Sequence, residues 1–265
     1  MNLIKNLDYI KDIAKIVGYE LIQFKQKNKL LHKWEEDQLK TNSDIFANDL
    51  WNKLLKEKYL SFNIISEEDN SSNKKPDSKY TGFILDPIDG TRSYFKNFKT
   101  YVTQIAYMEL GKIIYSVVYA PELDKMFYAE NSQGAYLNDK KIFFKDLKKK
   151  EINFKNIRLI DNYPKPSPLI NKIMNLNNIK DYIESGSLGL KISLIASDAA
   201  DLMIKPNICR IWDIAAPLLI LNEVRGKLFE YNKSPILLNE SLFKSNFMGL
   251  IACSSNIKIS NILFK

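Results

Sequence analysis

Between Gly82 and Tyr94 the chain reads GFILDPIDGTRSY. The apolar run predicts a strand over 82–86 that ends in the densest acidic motif of the chain. Pro87 stiffens the turn after Asp86, Asp89 follows three residues later, and Gly90-Thr91 opens a short helix. Two carboxylates so placed can both point into the cleft beyond the strand end. Without neutralisation they repel, which raises a pKa or recruits a cation. Oxygen-only ligands suit a hard ion such as Mg²⁺, which accepts phosphate oxygens as further ligands. Backbone N–H groups at a helix start can hold a phosphate, which nominates Gly90 and Thr91. Taken alone, the segment also fits a plain turn in which Asp89 caps the helix and Asp86 is solvated.

Periodicity on either side gives the frame. Ile4, Leu7, Ile10, Ala14, Val17, Leu21 and Phe24 recur at helical spacing, broken by Asp8, Lys11, Asp12 and Lys15, so the start is an amphipathic core helix rather than a secretory signal. A polar linker follows, then a second helical run through Ile45, Leu50, Trp51, Leu54, Leu55 and Tyr59. FNIIS (62–66) reads as a strand delivering Glu67 and Glu68, and 69–79 as a polar, mobile segment. YVTQIAYMEL, KIIYSVVYA and KMFYA suggest an antiparallel meander. After the lysine-rich 140–155 stretch come a strand at 156–160, a helix around 169–174, a helix at 188–196, a strand at 201–204 and a helix at 214–224 that Gly226 ends. A late strand at 249–253 leads into an expected closing helix. The result is a mixed α/β architecture, one catalytic domain over 1–265 with halves of about 1–145 and 146–265 sharing a cleft.

Composition narrows the chemistry. The 265 residues, 45% hydrophobic and 26% charged, are those of a globular protein, and no apolar run approaches the ~20 residues that span a bilayer. That balance points to the cytoplasm and to no membrane partner. Two cysteines, Cys209 and Cys253, make no disulfide framework. The single histidine, His32, lies in a polar stretch and excludes both histidine-rich metal sites and a Ser-His-Asp triad. The net charge of +8 is spread along the chain without an aromatic-basic interleave, which argues against nucleic acid and for a small polyanionic substrate.

The acidic strand end does not stand alone. SEED occupies 66–69, DPIDGT 86–91 and WDIAA 212–216, with Thr41-Asn42-Ser43-Asp44 upstream. In that order the motifs resemble those of the inositol monophosphatase superfamily. The resemblance runs from the first helix to the last and implies a layered αβαβα sandwich, of the inositol monophosphatase and fructose bisphosphatase type, that binds two to three Mg²⁺. It implies that Glu67, Asp86 and the Ile88 carbonyl hold a first ion and that Asp86, Asp89 and Asp213 hold a second. Asp44 would assist a third, weaker ion. Thr91, hydrogen-bonded to Asp44, would orient the attacking water, lithium would inhibit, and a homodimer is compatible with the fold.

Within that superfamily SEED, SVVYAPELDKMFYA (116–129) and GSLGLKISLIASDAADLMIKPN (186–207) look like the bacterial 3'(2'),5'-bisphosphate nucleotidase branch. That branch converts 3'-phosphoadenosine 5'-phosphate to AMP and phosphate. Inositol monophosphatases usually carry a glutamate seven residues before the WD aspartate; here Pro206 stands there, preceded by Lys205. A cation suits a second phosphate better than a neutral polyol, although Lys205 also reads as one more solvated lysine. Substrate contacts then fall to Asp89, Gly90, Thr91, Gly186, Ser187, Lys205 and Asp213, with Gly186-Ser187 against the sugar. The alternatives are inositol-1-monophosphatase, histidinol phosphatase and a non-catalytic phospho-ligand sensor. A haloacid-dehalogenase phosphatase needs DxDGT, and here the two aspartates are three apart.

Overall fold

The computed structural model describes residues 7–35, 38–69, 75–144, 154–162, 165–238 and 241–264. The expectations for Ile4, for part of the 69–79 segment (70–74) and for 145–153 therefore fall on residues outside those described.

The chain begins with α1 (Leu7–Lys27), a β1–β2 hairpin (His32–Glu35 and Gln38–Thr41) and α2 (Asn42–Lys58). Next come β3 (Ile64–Ser66), β4 (Gly82–Asp89), the short α3 (Thr91–Phe95) and the meander β5 (Val102–Glu109), β6 (Lys112–Ala120), β7 (Lys125–Glu130), β8 (Gly134–Leu137) and β9 (Lys140–Ile142). Strands β3 to β9 form one seven-stranded sheet in sequence order, parallel at β3–β4 and antiparallel thereafter. The remainder is β10 (Arg158–Asp161), α4 (Pro168–Asn177), β11 (Asp181–Glu184), α5 (Leu188–Ala196), β12 (Leu202–Lys205), β13 (Cys209–Arg210), α6 (Ile211–Glu223), β14 (Lys227–Glu230), β15 (Asn246–Phe247) and β16 (Leu250–Cys253). A five-stranded sheet in the order β11-β10-β12-β16-β14 gathers most of these strands, and β13 pairs with β15.

Alternation along the strands sorts these elements into layers, because successive side chains point to opposite faces. Phe83 and Leu85 pack with Ile10, Val17, Trp51 and Leu55 of α1 and α2. Ile84, between them, packs with Ile192, Ile195, Ile214 and Leu218 of α5 and α6. The second sheet repeats the logic: Ile160, Met203 and Ala252 join α5 and α6, whereas Leu159, Leu202, Ile204 and Ile251 face Ile170 and Ile173 of α4. The order is thus helices, sheet, helices, sheet, helix, the αβαβα sandwich expected. Strand β4 is buried along its whole length, so its carboxyl end is held from both sides.

Three local expectations are corrected. The polar stretch after α1 is a hairpin rather than a linker, with His32 opposite Thr41 and Trp34 opposite Leu39. Among the described residues the segment after β16 makes a 3-10 turn at Ile259–Asn261 rather than a closing helix; its sequence SSNIKISNILF has too few residues at helical spacing to bury an apolar stripe. The helix expected over 214–224 begins earlier, at Ile211, which puts Pro217 inside α6. Its missing N–H leaves the Asp213 carbonyl without the usual helical donor, and the Gln104 side-chain amide approaches that oxygen at 3.3 Å and the Trp212 carbonyl at 3.1 Å. Among the described residues no helix is long and apolar enough to cross a membrane.

The first sheet is tied to α2 by one buried polar contact. Trp51 Nε1 donates to Thr103 Oγ1 at 2.7 Å, with both residues fully buried. Trp51→Phe strands that hydroxyl and is expected to lower stability by about 1–3 kcal/mol. Urea unfolding checks it: the midpoint falls at unchanged slope, and the fully folded variant keeps its turnover.

Candidate active site

The site begins where β4 ends. Asp86 and Asp89 are both buried, 1% and 7% exposed. The sheet register shifts between them, so the backbone turns out of the ladder and re-aims the second carboxylate. Gly90 makes the next turn in the left-handed region (φ 92°), and a Cβ there would lie 3.2 Å from the Ser187 backbone. Only glycine meets both demands at low cost.

Asp89 is fixed from a distance of about a hundred residues in sequence. Ser187 Oγ donates to Asp89 Oδ2 at 2.6 Å, Gly189 N to the same oxygen at 2.5 Å, and Leu188 N to Oδ1 at 3.1 Å. The start of α5 thus seats one carboxylate on a side-chain hydroxyl and two amides. A Cβ on Gly189 would fall 2.0 Å from Gln104 Oε1 and 3.1 Å from Asp89 Oδ2, so a larger residue there must shift the Gln104 side chain. Ser187, which the sequence suggests for sugar contact, spends its hydroxyl on Asp89 and on the Leu190 amide, and Gly186 N donates to Thr100 Oγ1.

Asp213 enters from the first turn of α6, where its Oδ2 accepts from the Arg210 amide at 2.6 Å. Asp86, Asp89 and Asp213 each present one carboxylate oxygen within 4.8 Å of the others. Glu67, just past β3, stands against Asp86 rather than within that triad. Asp86 Oδ1 is buried and finds no hydrogen-bond donor among the described residues.

The electrostatics follow. Burial first, then Glu67, Asp89 and Asp213, push the Asp86 carboxyl well above the usual range. Burial, then Asp213 and Glu68, do the same to Glu67. Burial raises Asp213 to about 6 although Lys205 opposes it. A dense, all-oxygen, mutually repelling cluster with an orphaned carboxylate oxygen can hold a hard divalent cation.

Asp44 and Thr91 flank the cluster. Asp44 Oδ2 accepts from Thr41 N and Thr41 Oγ1, both at 2.7 Å, in a capping box that starts α2. Thr91 Oγ1 lies 3.1 Å from Asp44 Oδ1 and 3.0 Å from the Ile88 carbonyl. Burial brings Asp44 up to about 6 against the pull of Thr41.

Two side chains near the triad escape the sequence reading. Gln104 lies in β5 and bridges the Trp212 and Asp213 carbonyls. Lys191 sits in α5 only 2% exposed, its Nζ 2.5 Å from Asn162 Oδ1. Burial, then Lys205, push Lys191 down to about 8, while Asp161 and Asp89 resist. Lys205 is held above the ordinary lysine value: burial opposes its charge, but Cys209, Asp213 and Asp89 outweigh that cost. A signal existed for both: each is a long polar side chain in an element otherwise built for the core.

The sequence pattern of the inositol monophosphatase family matches residues 7–257. The chain belongs to that family. It is a phosphatase, with relatives that differ in substrate. It is 25% identical over 252 residues to a 3'(2'),5'-bisphosphate nucleotidase of Aggregatibacter actinomycetemcomitans, covering 92% of each chain. It is 29% identical over 232 residues to inositol monophosphatase 1 of Solanum lycopersicum, covering 83% of this chain and 82% of the relative. Among solved structures an IMPase/NADP phosphatase complexed with Mg²⁺ and phosphate superposes with a TM-score of 0.76 at 20% identity, covering 93% of this chain and 89% of that one. The fold expected from the motifs is therefore the fold observed.

A raised carboxyl pKa makes the folded chain bind more protons than the unfolded one. For Asp44 and Asp213 the affected window runs from the ordinary 3.8 to about 6. Their contribution to stability is full below that window and lost as pH rises through it. Metal-free protein is expected to show a falling Tm from about pH 4 to about pH 7. Mg²⁺ should restore more of it at the upper end, and Asp213→Asn should flatten the slope; thermal unfolding with and without Mg²⁺ checks all three.

Proposed function

We propose that this phosphatase is a 3'(2'),5'-bisphosphate nucleotidase, hydrolysing 3'-phosphoadenosine 5'-phosphate to AMP and phosphate. The observation that carries the reading is the pair Lys191 and Lys205, two lysines beside the acidic cluster: Asp89 acts on both, and Lys205 adds to the burial that lowers Lys191. Two cations beside an acidic cluster suit a substrate with two phosphates, one at the carboxylates and one on the lysines. The likeness to a bisphosphate nucleotidase over 92% of the chain supports it. Inositol-1-monophosphatase is the second reading, favoured by the 29% identity to a plant member of that group.

In this reading Glu67, Asp86 and the Ile88 carbonyl are donors to a first Mg²⁺, and Asp86, Asp89 and Asp213 to a second, with Asp44 beside a third. Bound there, the ions supply Lewis acidity to the phosphoryl oxygens and lower the pKa of the attacking water. The chain's own residues do the positioning. Thr91 has one hydroxyl proton and two acceptors in reach, Asp44 Oδ1 and the Ile88 carbonyl. Once that proton is committed, the Thr91 oxygen accepts from a water and aims it in line at phosphorus. Asp44, with a carboxyl raised to about 6 by burial, takes the proton relayed through the hydroxyl. The amides of Gly90 and Thr91 cradle the reacting phosphate, and the Gly186-Ser187 turn borders the sugar.

Thr91→Ala is expected to lower kcat about 10²-fold with little change in KM, the pattern of a group that acts in the transition state. Steady-state release of phosphate checks it, and an unchanged kcat makes Thr91 a helix-start residue only. Lys205→Ala and Lys191→Met are each expected to cut kcat/KM for the bisphosphate by about 10- to 100-fold while leaving inositol 1-phosphate nearly unaffected. A wild type that prefers inositol 1-phosphate transfers the assignment to the second reading.

A further inference from the structure

One cluster of side chains beside the site has no part in the chemistry above. A cavity of about 130 Å³ lies between the β1–β2 hairpin and α3, lined by His32, Trp34, Leu39, Arg92, Phe95 and Lys96. Trp34 is 56% exposed, an unusual setting for a large aromatic residue. The Arg92 guanidinium lies over its ring, 4.7 Å from the centroid. Below them the His32 and Phe95 rings meet at 4.5 Å. His32 and Trp34 are two residues apart on one strand and so share a face, which fixes the spacing of the two rings.

Two covalent links place this cavity at the rim of the active site. Arg92 is the residue after Thr91, at the start of α3. Leu39, which lines the cavity, precedes Thr41 by two residues on the strand that delivers the Asp44 cap. A third link is electrostatic, because the Arg92 charge is felt at Lys205. Arg92 therefore joins the two regions: it follows Thr91 in the chain and its guanidinium lies over the open face of Trp34.

We propose that Trp34, backed by Arg92, is a stacking platform for the base of a nucleotide substrate. This rests on the nucleotidase reading and adds to it a residue that determines specificity. An aromatic face stacks any base through its π surface, and a guanidinium on the far side stiffens the ring and adds cation–π attraction. A polyol has neither a planar ring nor the reach to use such a face. His32 and Phe95 form the floor that keeps the hairpin at this height above α3.

The test compares adenosine 3',5'-bisphosphate with ribose 3,5-bisphosphate, which keeps both phosphates and lacks the base. Wild-type enzyme with Mg²⁺ should favour the nucleotide in kcat/KM by about tenfold or more, the worth of one stacked base. Trp34→Ala should collapse that ratio toward one by raising KM for the nucleotide, with kcat largely retained, and Trp34→Phe should restore most of the preference. A ratio unchanged in Trp34→Ala, or an equal loss on both substrates, overturns the platform while leaving the nucleotidase reading intact. A wild type that hydrolyses inositol 1-phosphate and neither bisphosphate overturns both.

Discussion

Asp89 is held by the start of α5, and much of the active-site geometry depends on that contact. A buried carboxylate beside Asp86 is unfavourable unless its lone pairs are met. Ser187 Oγ and the amides of Leu188 and Gly189 meet them. They come from the layer of helices between the two sheets, so the same three bonds that tolerate the charge also lock β4 to α5. The capping of Asp44 by Thr41 and of Asp213 by Arg210 repeats the device at the starts of α2 and α6. Three helix starts thus converge on one strand end, each contributing donors toward negative charge.

The same arrangement explains why lysines sit so near. Burial, and after it the charge of Lys205, push the Lys191 pKa down. The acids of the site supply the compensating field, as their influence on both lysines shows. Charge is not balanced pair by pair here; it is balanced across the cleft. A cluster like this gains most from ligands that carry both signs, a cation for the carboxylates and an anion for the lysines.

Much of this was legible in the amino-acid sequence because it is written locally. β4 was visible as a continuous apolar run, α5 as a mostly apolar stretch, and the meander as runs of β-branched and aromatic residues broken by Gly111 and Pro121. Asp86, Asp89 and Asp213 stood out because each follows or interrupts such a run. The missed features depend on distant partners. Nothing near Gln104 announces that Pro217 leaves a carbonyl for it to approach, and nothing near Ser187 names Asp89 as its acceptor. The hairpin was hidden for another reason: LHKWEEDQLKT lacks a long apolar alternation, and its strands take their support from α3 rather than from their own sequence. The expected closing helix failed because a few apolar residues near a chain end do not build an amphipathic face.

Gly189 has a consequence for how an enzyme of this shape can diversify. Its missing side chain is filled by Gln104 on one side and Asp89 on the other, so any larger residue there pushes on both the carboxylate and the amide that bridges Asp213 to its strand. A larger residue at this position therefore has to displace Gln104, Asp89 or both. The hairpin, by contrast, meets the site through the Thr41 cap, the Lys40–Glu68 ion pair and the Arg92–Trp34 stack. A side chain changed on the hairpin therefore leaves the seat of Asp89 undisturbed.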